Sequence, residues 1–406
     1  MTIRLHLPRT RVLGVLVDLP ERLEVAVEAT PATIRCQACG FKTRTVHQTV
    51  RQAVRDVACG DRPTTLVWHR RRFLCRRCGA TTTETLPGVD GHMTLRLRRH
   101  LLGEVADSTV NAVARRHHLG WHAVMAVVTA AAVLIGARRR RCRVRVLCID
   151  EKSLRKGRGG FSTILTDGDT GAVVAVLPGR NSGVVAEFLA AQGASWRRGV
   201  EIVITDMAVC FKAPIARWLP GAVHVVDRFH VVRNLLHPLS DIRRAAQRTP
   251  HGQPHDKALF QNRYTLLARA DRLTAEQISE LTSLFEDHPQ LAAAWELTQR
   301  LHRLYQADDF DSAMAALAEF SDAWTRLERP APFAPGVRSL ARWADHVFAY
   351  HYTGRRTTST AEGVNNKIEV LERKAYGFRA TANHHARILI ECAGHPGRPH
   401  PLRNDT

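Results

Sequence analysis

Two acidic residues end apolar runs of the kind that form buried strands. Asp150 ends "VRVLCID" and Asp206 ends "EIVITD". Two carboxylates that are brought together repel each other, and burial raises that cost, so the pair is best explained by divalent cations between them. A single acid at a strand end is also ordinary turn chemistry, and we assign Asp167 and Asp169 of "TDGDTG" to that class.

A third run of this kind, "AVHVVD", ends at Asp227, and His230 follows three positions later. The carboxyl ends of strands in α/β folds open onto a crevice, which is a usual place for chemistry. An acid and an imidazole three apart at such an end could brace one another or contact a phosphate group.

The elements around these acids predict a mixed sheet. Residues 144–150, 161–167 and 172–178 read as three consecutive strands joined by hairpins, and helices then alternate with the strands that end at Asp206 and Asp227. With right-handed crossovers this is the order of a ribonuclease H-like fold, in which the ends of the first and fourth strands lie side by side. Asp150 and Asp206 would then face one another, and two Mg²⁺ ions about 3.5 to 4 Å apart could stabilise an in-line phosphoryl displacement there.

A helical segment separates these strands from the last acid of interest. From about residue 240 to 355 the pattern predicts an all-helical insertion, in which we expect Trp295, Trp324 and Trp343 to pack in the core rather than stack on bases. A further helix then begins in "TTSTAEGVNNKIEVLERKAYGF" and carries Glu362 in its opening turn.

Two interpretations of Glu362 remain open from the residues alone. Ser359 and Glu362 have the spacing of a capping box, in which the acid only satisfies a backbone N–H. The amide and cationic groups that follow, Asn366, Lys367 and Lys374 among them, are instead suited to holding phosphates and nucleotide edges.

Two cysteine pairs in the first 80 residues predict a zinc ribbon. Cys36 and Cys39 form "CQACG", and Cys75 and Cys78 form "CRRCG". Each spacing lets one tight turn direct two thiolates at a single tetrahedral ion, and the Gly that follows permits a positive φ. Free thiols are the alternative for the four cysteines, and we expect Cys59, which lacks a paired neighbour, to be a plain buried thiol.

Basic residues are concentrated in three further segments. "DSTVNAVARRHHLGWHAVMAVV" predicts a helix-turn-helix, with Arg115 and Arg116 as candidate DNA contacts, although an ordinary helical hairpin has the same pattern. The run "RRRRCRVR" at 138–145 predicts phosphate contacts, an exposed linker, or both. The candidate phosphate-binding residues of that run and of the Gly-rich turn after Asp150 are Arg138, Arg139, Arg140, Arg141, Arg155, Lys156 and Arg158.

Composition favours a polyanionic partner. The 406 residues include 59 Lys and Arg against 38 Asp and Glu, a formal net charge of +21, and 45% of them are hydrophobic, which is ample for a packed core. Nucleic acid is the first candidate partner and a membrane surface the rival. The apolar stretch 123–137 is too short and Ala-rich to span a bilayer comfortably, so we predict a buried helix there.

Several motifs in a fixed order resemble those of the DDE transposases of bacterial insertion sequences, of the ISL-three type. They are "CIDEKSLRKGRGGFSTILTD", "VITDMAVCFKAPIARWLPGAVHVVDRFHVVRN" and "AEGVNNKIEVLERKAYGFR", preceded by the zinc ribbon and helix-turn-helix. The resemblance implies that Asp150, Asp206 and Glu362 are the metal-binding carboxylates. It also implies that Asp227 and His230 are functional. We predict that they contact the metal-binding residues rather than bind the metal directly.

The resemblance further implies an enzyme that binds terminal inverted repeats and target DNA, as a homodimer or larger assembly, in the bacterial cytoplasm and on the nucleoid. Two Mg²⁺ or Mn²⁺ ions at the active site and one structural Zn²⁺ are expected, and no membrane partner. A catalytically silent DNA-binding regulator and a plain metal-dependent nuclease are the alternatives.

The predicted organisation follows from these motifs. It comprises a zinc ribbon at 1–90, a helix-turn-helix at 91–137, a basic linker at 138–145, the catalytic core at 146–239 and 356–395, the helical insertion at 240–355, and a tail at 396–406.

Overall fold

The computed structural model describes residues 5–155, 160–247, 256–327 and 331–394, with the backbone alone at 154 and 155. The chain divides into two compact units, Met1–Ile135 with Glu369–Thr406, and Gly136–Ile368. The predicted tail at 396–406 lies outside the described residues.

The first unit begins with a sheet in which the strand order is β1-β2-β6-β5-β9-β8. Off this path β7 pairs with the last three residues of β6, and β3-β4 is a separate ribbon. Val25, Val27, Leu66 and Trp68 are buried at its core. The strands are β1 (Thr10–Leu19), β2 (Arg22–Ala29), β3 (Ile34–Arg35), β4 (Lys42–Thr43), β5 (Thr45–Cys59), β6 (Arg62–Leu74), β7 (Thr81–Thr83), β8 (Val89–Asp90) and β9 (Met93–Thr94).

The long β5–β6 hairpin corrects the prediction for Cys59. Cys59 is the last residue of β5, pairs with Arg62 across the turn, and is exposed. Gly60 follows it with φ +64°. The sequence pattern suggested a buried thiol, but a residue beside a two-residue turn lies at the tip of the hairpin, where solvent reaches it.

Three helices follow the sheet: α1 (Leu95–Asp107), α2 (Val110–Arg116) and α3 (Trp121–Arg139). Thr94 and Thr109 cap the first two, since each hydroxyl oxygen accepts a hydrogen bond from the backbone N–H three residues later. The helix-turn-helix pattern is therefore present as α2, the turn that contains Gly120, and α3.

Helix α3 is less buried than predicted. Val124, Val127 and Val128 pack in the core of this unit, but Val133 and Leu134 are 64% and 67% exposed. Among the described residues, α3 alone is long and apolar enough to cross a membrane, judged by length and composition only. Its row of core contacts is the pattern of an ordinary packed helix.

The second unit contains a five-stranded mixed sheet with the order β12-β11-β10-β13-β14. The first three strands pair antiparallel, and β13 joins β10 and β14 in parallel. The elements are β10 (Val146–Arg155), β11 (Gly160–Asp167), β12 (Val173–Pro178), α4 (Ser182–Ala191), α5 (Ala194–Gly199), β13 (Ile202–Thr205), α6 (Lys212–Trp218) and β14 (Val223–Val226).

Alternation along β10 and β13 explains how both faces of this sheet are covered. Leu147, Ile149 and Val203 belong to one buried cluster, which includes residues of α4 and α6. Cys148 and Ile204 belong to another, which includes the helices that follow β14. Successive side chains on a strand point to opposite faces, so a sheet covered on both sides has continuous apolar runs.

Two predicted boundaries differ from the structure. The first strand does not end at Asp150 but continues to Arg155, because β11 goes on pairing with it after β13 has ended. The basic run is not a linker throughout, since Arg138 and Arg139 form the last turn of α3.

The helical segment starts earlier than predicted, at Arg228 directly after β14. Trp343 is buried, and Trp295 and Trp324 pack at the edge of the same core, as expected from their apolar spacing. Its helices are α7 (Arg228–Gln247), α8 (Lys257–Gln261), α9 (Ala275–Asp287), α10 (Pro289–Gln306), α11 (Phe310–Arg326), α12 (Ala334–Arg342) and α13 (Ala344–Tyr352).

The chain ends with α14 (Ser359–Lys374) and α15 (Thr381–Cys392). The apolar spacing of Val364, Ile368, Leu371 and Ala375 predicts one buried face of this helix. The first three residues are buried on α14, whereas Ala375 lies just past its end and is half-buried. Ala386 and Ile390 of α15 belong to the same buried cluster as α1, α2 and α3 in the first unit.

Candidate active site

Asp150 and Asp206 lie side by side where β13 ends. The parallel register of β10 and β13 pairs Ile149 with Thr205, and in both segments the acid is the next residue along the chain. Burial raises the pKa of Asp206, and the negative charge of Asp150 adds to the rise. A hydrogen bond of 2.9 Å from the Ala208 backbone N–H to Asp206 Oδ1 partly offsets it. A buried acid beside a second acid is an environment that a bound cation would stabilise.

Asp150 is also joined to α14. Its Oδ2 accepts a hydrogen bond of 2.5 Å from Asn365 Nδ2, and its Oδ1 accepts one of 2.8 Å from the Glu151 backbone N–H. Lys152 Nζ donates to the Asn365 carbonyl oxygen at 3.3 Å. Asn365 is three residues after Glu362, so the two side chains lie on the same side of the helix.

Glu362 lies in the first turn of α14 and is exposed. Its backbone N–H donates to the Thr358 carbonyl oxygen at 2.8 Å. The capping-box interpretation does not hold, because Ser359 is already inside the helix and its N–H donates to Thr357 Oγ1 at 3.4 Å. Within the part of the chain that the structure describes, the Glu362 carboxylate makes no hydrogen bond or ion pair, so it is available to an external ligand.

Asp227 is hydrogen-bonded to the backbone at the start of α14. It directly follows β14, is 0% exposed, and its Oδ1 accepts a hydrogen bond of 3.3 Å from the Thr358 backbone N–H. Its Oδ2 is buried and has no hydrogen-bond partner among the described residues. The sequence left open that Asp227 and His230 brace one another, but the hydrogen bond of Asp227 goes to Thr358.

The His230 side chain lies beside Arg233. Its Nδ1 lies 3.2 Å from Arg233 Nη2, and a positive charge on it lowers the pKa of Asp206. The two members of the motif therefore face different groups: Asp227 is hydrogen-bonded to the backbone that precedes α14, whereas His230 lies beside Arg233 and near enough to Asp206 to influence its pKa.

The three predicted ligands do not converge on one point. Among residues 5–155, 160–247, 256–327 and 331–394, their carboxylate oxygens are not part of a group in which all ligand atoms lie within 4.8 Å of one another. The donors are all carboxylate oxygens, which Mg²⁺ prefers, and a pair of ions about 3.5 to 4 Å apart requires ligands spread over a wider area than a single ion does.

Glu151 is a residue near the site that sequence reasoning missed. Burial raises its pKa, and the negative charge of Asp206 is the next contribution. Its Oε1 accepts from Cys210 Sγ at 3.8 Å, and its Oε2 is 3.9 Å from Arg180 Nη1. The only sequence signal was its position directly after Asp150.

Of the two acids assigned to turn chemistry, Asp167 makes the expected hydrogen bonds within the turn, whereas the Asp169 carboxylate forms ion pairs. Asp167 Oδ1 accepts from the Asp169 N–H at 3.0 Å, and Asp167 Oδ2 accepts from Thr170 Oγ1 at 2.7 Å. Asp169 is ion-paired with Arg145 and Arg356.

The four cysteines of the two pairs form a compact cluster in which all sulfur atoms lie within 4.8 Å of one another. Cys36 Sγ is 3.6 Å from Cys78 Sγ, and Cys39 Sγ is 3.6 Å from Cys75 Sγ. Hydrogen bonds from the backbone amides of Cys39 and Ala38 lower the pKa of the Cys36 thiol to about 6. At Cys78 the backbone hydrogen bond from Ala80 is outweighed by hydrogen bonding with Cys39 and by burial, which raise the pKa of that thiol to about 12. The thiolate, which is the form that binds zinc, is therefore favoured at Cys36 but not at all four cysteines.

The turns of the two pairs have the backbone that the sequence predicts. Gly40 has φ +72° and Gly79 has φ +73°. Their N–H groups each donate to the carbonyl oxygen of the first cysteine of the pair at 2.9 Å. A side chain at either glycine would be strained in this left-handed conformation.

The candidate DNA contacts are distributed over both units. Arg115, Asn366, Lys367 and Lys374 are exposed, and Arg138, Arg139, Arg140 and Arg141 are exposed or half-buried. Arg116 is exposed too but is ion-paired with Glu104. Arg155 is described in its backbone only, and Lys156 and Arg158 lie outside the described residues.

Comparison with known families covers most of the chain. A family model described as "Transposase" matches residues 147–388. The model of the zinc-finger of transposase IS204/IS1001/IS1096/IS1165 matches residues 32–78, and that of the helix-turn-helix domain of transposase family ISL3 matches residues 90–132.

Two curated relatives agree with these matches. The transposase for insertion sequence element IS1001 of Bordetella parapertussis is 28% identical over 379 residues, which cover 89% of this chain and 91% of the relative. The transposase for insertion sequence element IS1557 of Mycobacterium tuberculosis (strain CDC 1551 / Oshkosh) is 26% identical over 318 residues, which cover 71% of this chain and 70% of the relative.

Proposed function

The chain belongs to the ISL3 family of transposases, and from this premise we propose that it binds the terminal inverted repeats of an insertion sequence and catalyses metal-dependent cleavage and strand transfer of DNA. The main support for the proposal is that Asp150 lies beside Asp206 and is also hydrogen-bonded to α14. Adjacent parallel strands bring the two acids together, and the hydrogen bond from Asn365 joins Asp150 to the helix that bears Glu362.

The catalytic core is proposed to be ribonuclease H-like. The sheet order, with three antiparallel strands followed by two parallel ones, supports this assignment. On this proposal residues 146–239 and 356–395 form the core, and the helices between them are an insertion that separates Asp206 from Glu362 in sequence.

Asp150, Asp206 and Glu362 would hold two Mg²⁺ or Mn²⁺ ions. Bound there, the ions would stabilise the negative charge of the phosphoryl transition state and favour deprotonation of the attacking hydroxyl. Asp227 holds the backbone of Thr358 at the start of α14 and so sets where Glu362 stands. His230 acts on the charge of Asp206.

The proposed reaction has two steps, hydrolysis of a strand and strand transfer. Water attacks a phosphorus atom at each element end, the bond to the 3′-oxygen breaks, and that oxygen takes up a proton. The 3′-hydroxyl so formed loses its proton to solvent as it attacks a phosphorus atom of target DNA, and the displaced 3′-oxygen of the target strand takes up a proton. One phosphodiester bond forms as another breaks, so no outside energy source is needed.

The first unit would recognise the DNA. One structural Zn²⁺, held by the four clustered cysteines, supports the ribbon, and the helix-turn-helix places α3 for groove contact. The exposed basic residues of both units would bind phosphates in the bacterial cytoplasm, and pairing two element ends requires at least a dimer.

Strand-break mapping on a plasmid that carries the flanking DNA of the gene tests the proposal. The wild-type protein in Mg²⁺ should cut at defined repeats, whereas in Ca²⁺ it should bind without cutting. Asp206→Asn and Glu362→Gln should each lower cleavage by more than about 10²-fold, since even the groups that orient metal ligands are worth about 10- to 100-fold. Repeat binding should stay at the wild-type level in both variants.

Glu187→Gln is the matched control, because Glu187 is an exposed acid of α4 outside the site. It should cut like wild type. Binding to the repeats without cleavage in any metal would replace this proposal with the silent regulator, and cleavage without sequence preference or joining would replace it with a nuclease.

A further inference from the structure

A second group of metal-ligating side chains lies in the first unit, away from the cysteines. His100 and Glu104 are one turn apart on α1, and His117 is the C-cap residue that directly follows α2. Glu104 Oε1 is 2.9 Å from His100 Nε2 and 3.0 Å from His117 Nε2. All three ligand atoms lie within 4.8 Å of one another.

These distances are close to what a bound ion requires. Two imidazole nitrogens and one carboxylate oxygen are a donor set that zinc takes, with water completing a tetrahedron. Ligand bonds of about 2.0 to 2.1 Å imply donor separations of about 3.3 Å. The present 2.9 and 3.0 Å would therefore widen by only a few tenths of an ångström on binding.

The surroundings allow an ion to enter and be held. The His117 side chain is 8% exposed, Glu104 is 20% exposed and His100 is 47% exposed, so the cluster is open on the His100 side. Arg116 is ion-paired with the other carboxylate oxygen, Oε2, which fixes Glu104 and leaves Oε1 directed at the two imidazoles. Orienting contacts of this kind are common behind metal ligands.

We propose that His100, Glu104 and His117 bind one Zn²⁺ ion or a similar transition-metal dication, distinct from the four-cysteine site. Because the ligands come from α1 and from the end of α2, the ion ties these two helices together at the entry to the helix-turn-helix. The inference concerns ion binding alone and does not rest on the proposed catalytic function.

Cobalt titration of the full-length protein, with zinc already bound by the cysteines, tests it. One further Co²⁺ per chain should bind, with the visible absorption of a tetrahedral nitrogen and oxygen site and without the near-ultraviolet band of cobalt–thiolate bonds. His117→Asn should weaken this binding by more than about 10²-fold. His118→Asn is the matched control, because His118 is adjacent, exposed and outside the cluster. Asparagine tolerates the positive φ of 50° at that position.

His100→Ala gives a second variant with little risk to folding, since His100 is at the helix surface and Ala favours helix. It should lose the same cobalt absorption as His117→Asn. The carboxylates of the catalytic core are present in both wild type and His100→Ala, so any weak Co²⁺ binding there contributes equally to the two spectra. Absence of the extra Co²⁺ in wild type would overturn the proposal. Its retention in both His100→Ala and His117→Asn would do so as well, because the absorption would then come from another site.

Discussion

At the residue scale, Asp227 has the most unusual environment of the acids near the site. It is fully buried, receives one hydrogen bond from the Thr358 backbone, and has a second carboxylate oxygen without a partner among the described residues. A buried carboxylate with so few partners is costly for folding, so a compensating gain is expected elsewhere. We assign that gain to the placement of α14 and therefore of Glu362.

Substitution of Asp227 separates positioning from direct catalysis. Asp227→Ala leaves the buried Thr358 N–H without an acceptor, which costs about 1–3 kcal/mol of stability and should reduce strand cleavage by about 10- to 100-fold. Asp227→Asn keeps an acceptor oxygen at the same place and should restore most of the cleavage. Cleavage rates and thermal unfolding of the three proteins provide the comparison. If the Asn variant were as inactive as the Ala variant, the charge rather than the hydrogen bond would be required.

At the element scale, the strand β14 is secured to its neighbours through His224. The His224 Nε2 lies 2.9 Å from Thr205 Oγ1 of β13, and the His224 ring packs edge-on against Trp343 and His346. Burial, with smaller contributions from the positive charges of His346 and Lys212, lowers the pKa of His224 to about 3. The folded protein thus keeps this imidazole neutral.

The depressed pKa of His224 predicts a specific acid sensitivity. The unfolded imidazole takes up a proton near pH 6.5, whereas the folded one does so only near pH 3, so the unfolded state binds more protons between these values. Stability attributable to His224 is therefore complete above about pH 6.5 and is lost as the pH falls toward 3. His224→Gln, which cannot be protonated, should lose less stability than wild type between pH 7.5 and about pH 5.

Thermal unfolding of both proteins across that pH range checks this prediction. His237→Gln provides the control, since His237 is an exposed histidine on α7. It should follow the wild-type curve. Parallel curves for wild type and His224→Gln would show that other histidines cause the acid sensitivity.

At the scale of the whole molecule, the net charge of +21 should dominate DNA affinity. Phosphate neutralisation releases counterions, so log K falls linearly with log salt at about 0.9 per phosphate contacted. Replacing the four arginines of 138–141 with Gln should reduce this slope by at most about 3.6, with little change in the preference for repeats over other DNA. Binding isotherms at several salt concentrations measure both quantities.

Arg303→Gln with Arg326→Gln is a suitable control for the same isotherms. Both guanidinium groups are already ion-paired, with Glu319 and Glu296 respectively. Their removal should lower the net charge without lowering the slope much. An equal loss of slope per arginine replaced in the control would mean that net charge alone, rather than contact at 138–141, governs binding.

The sequence by itself determined the parts of this protein that depend on local pattern. Cysteine pairs with a following glycine predict tight turns, and the observed φ values of Gly40 and Gly79 agree. The apolar runs before Asp150 and Asp206 predict neighbouring strands, and the parallel register brings the two acids together. The apolar spacing in α14 likewise identifies its buried face. Each of these signals depends on residues a few positions apart.

Only the tertiary structure decided which distant residues meet. Asp227 is 131 positions from Thr358, and Asp150 is 215 positions from Asn365, so no local spacing indicates either hydrogen bond. The exposure of Cys59 and of Leu134 was also beyond the sequence pattern, because an apolar side chain becomes buried only if another element covers it. The reason in each case is that burial and pairing are properties of packed surfaces, which a chain acquires only when its elements come together.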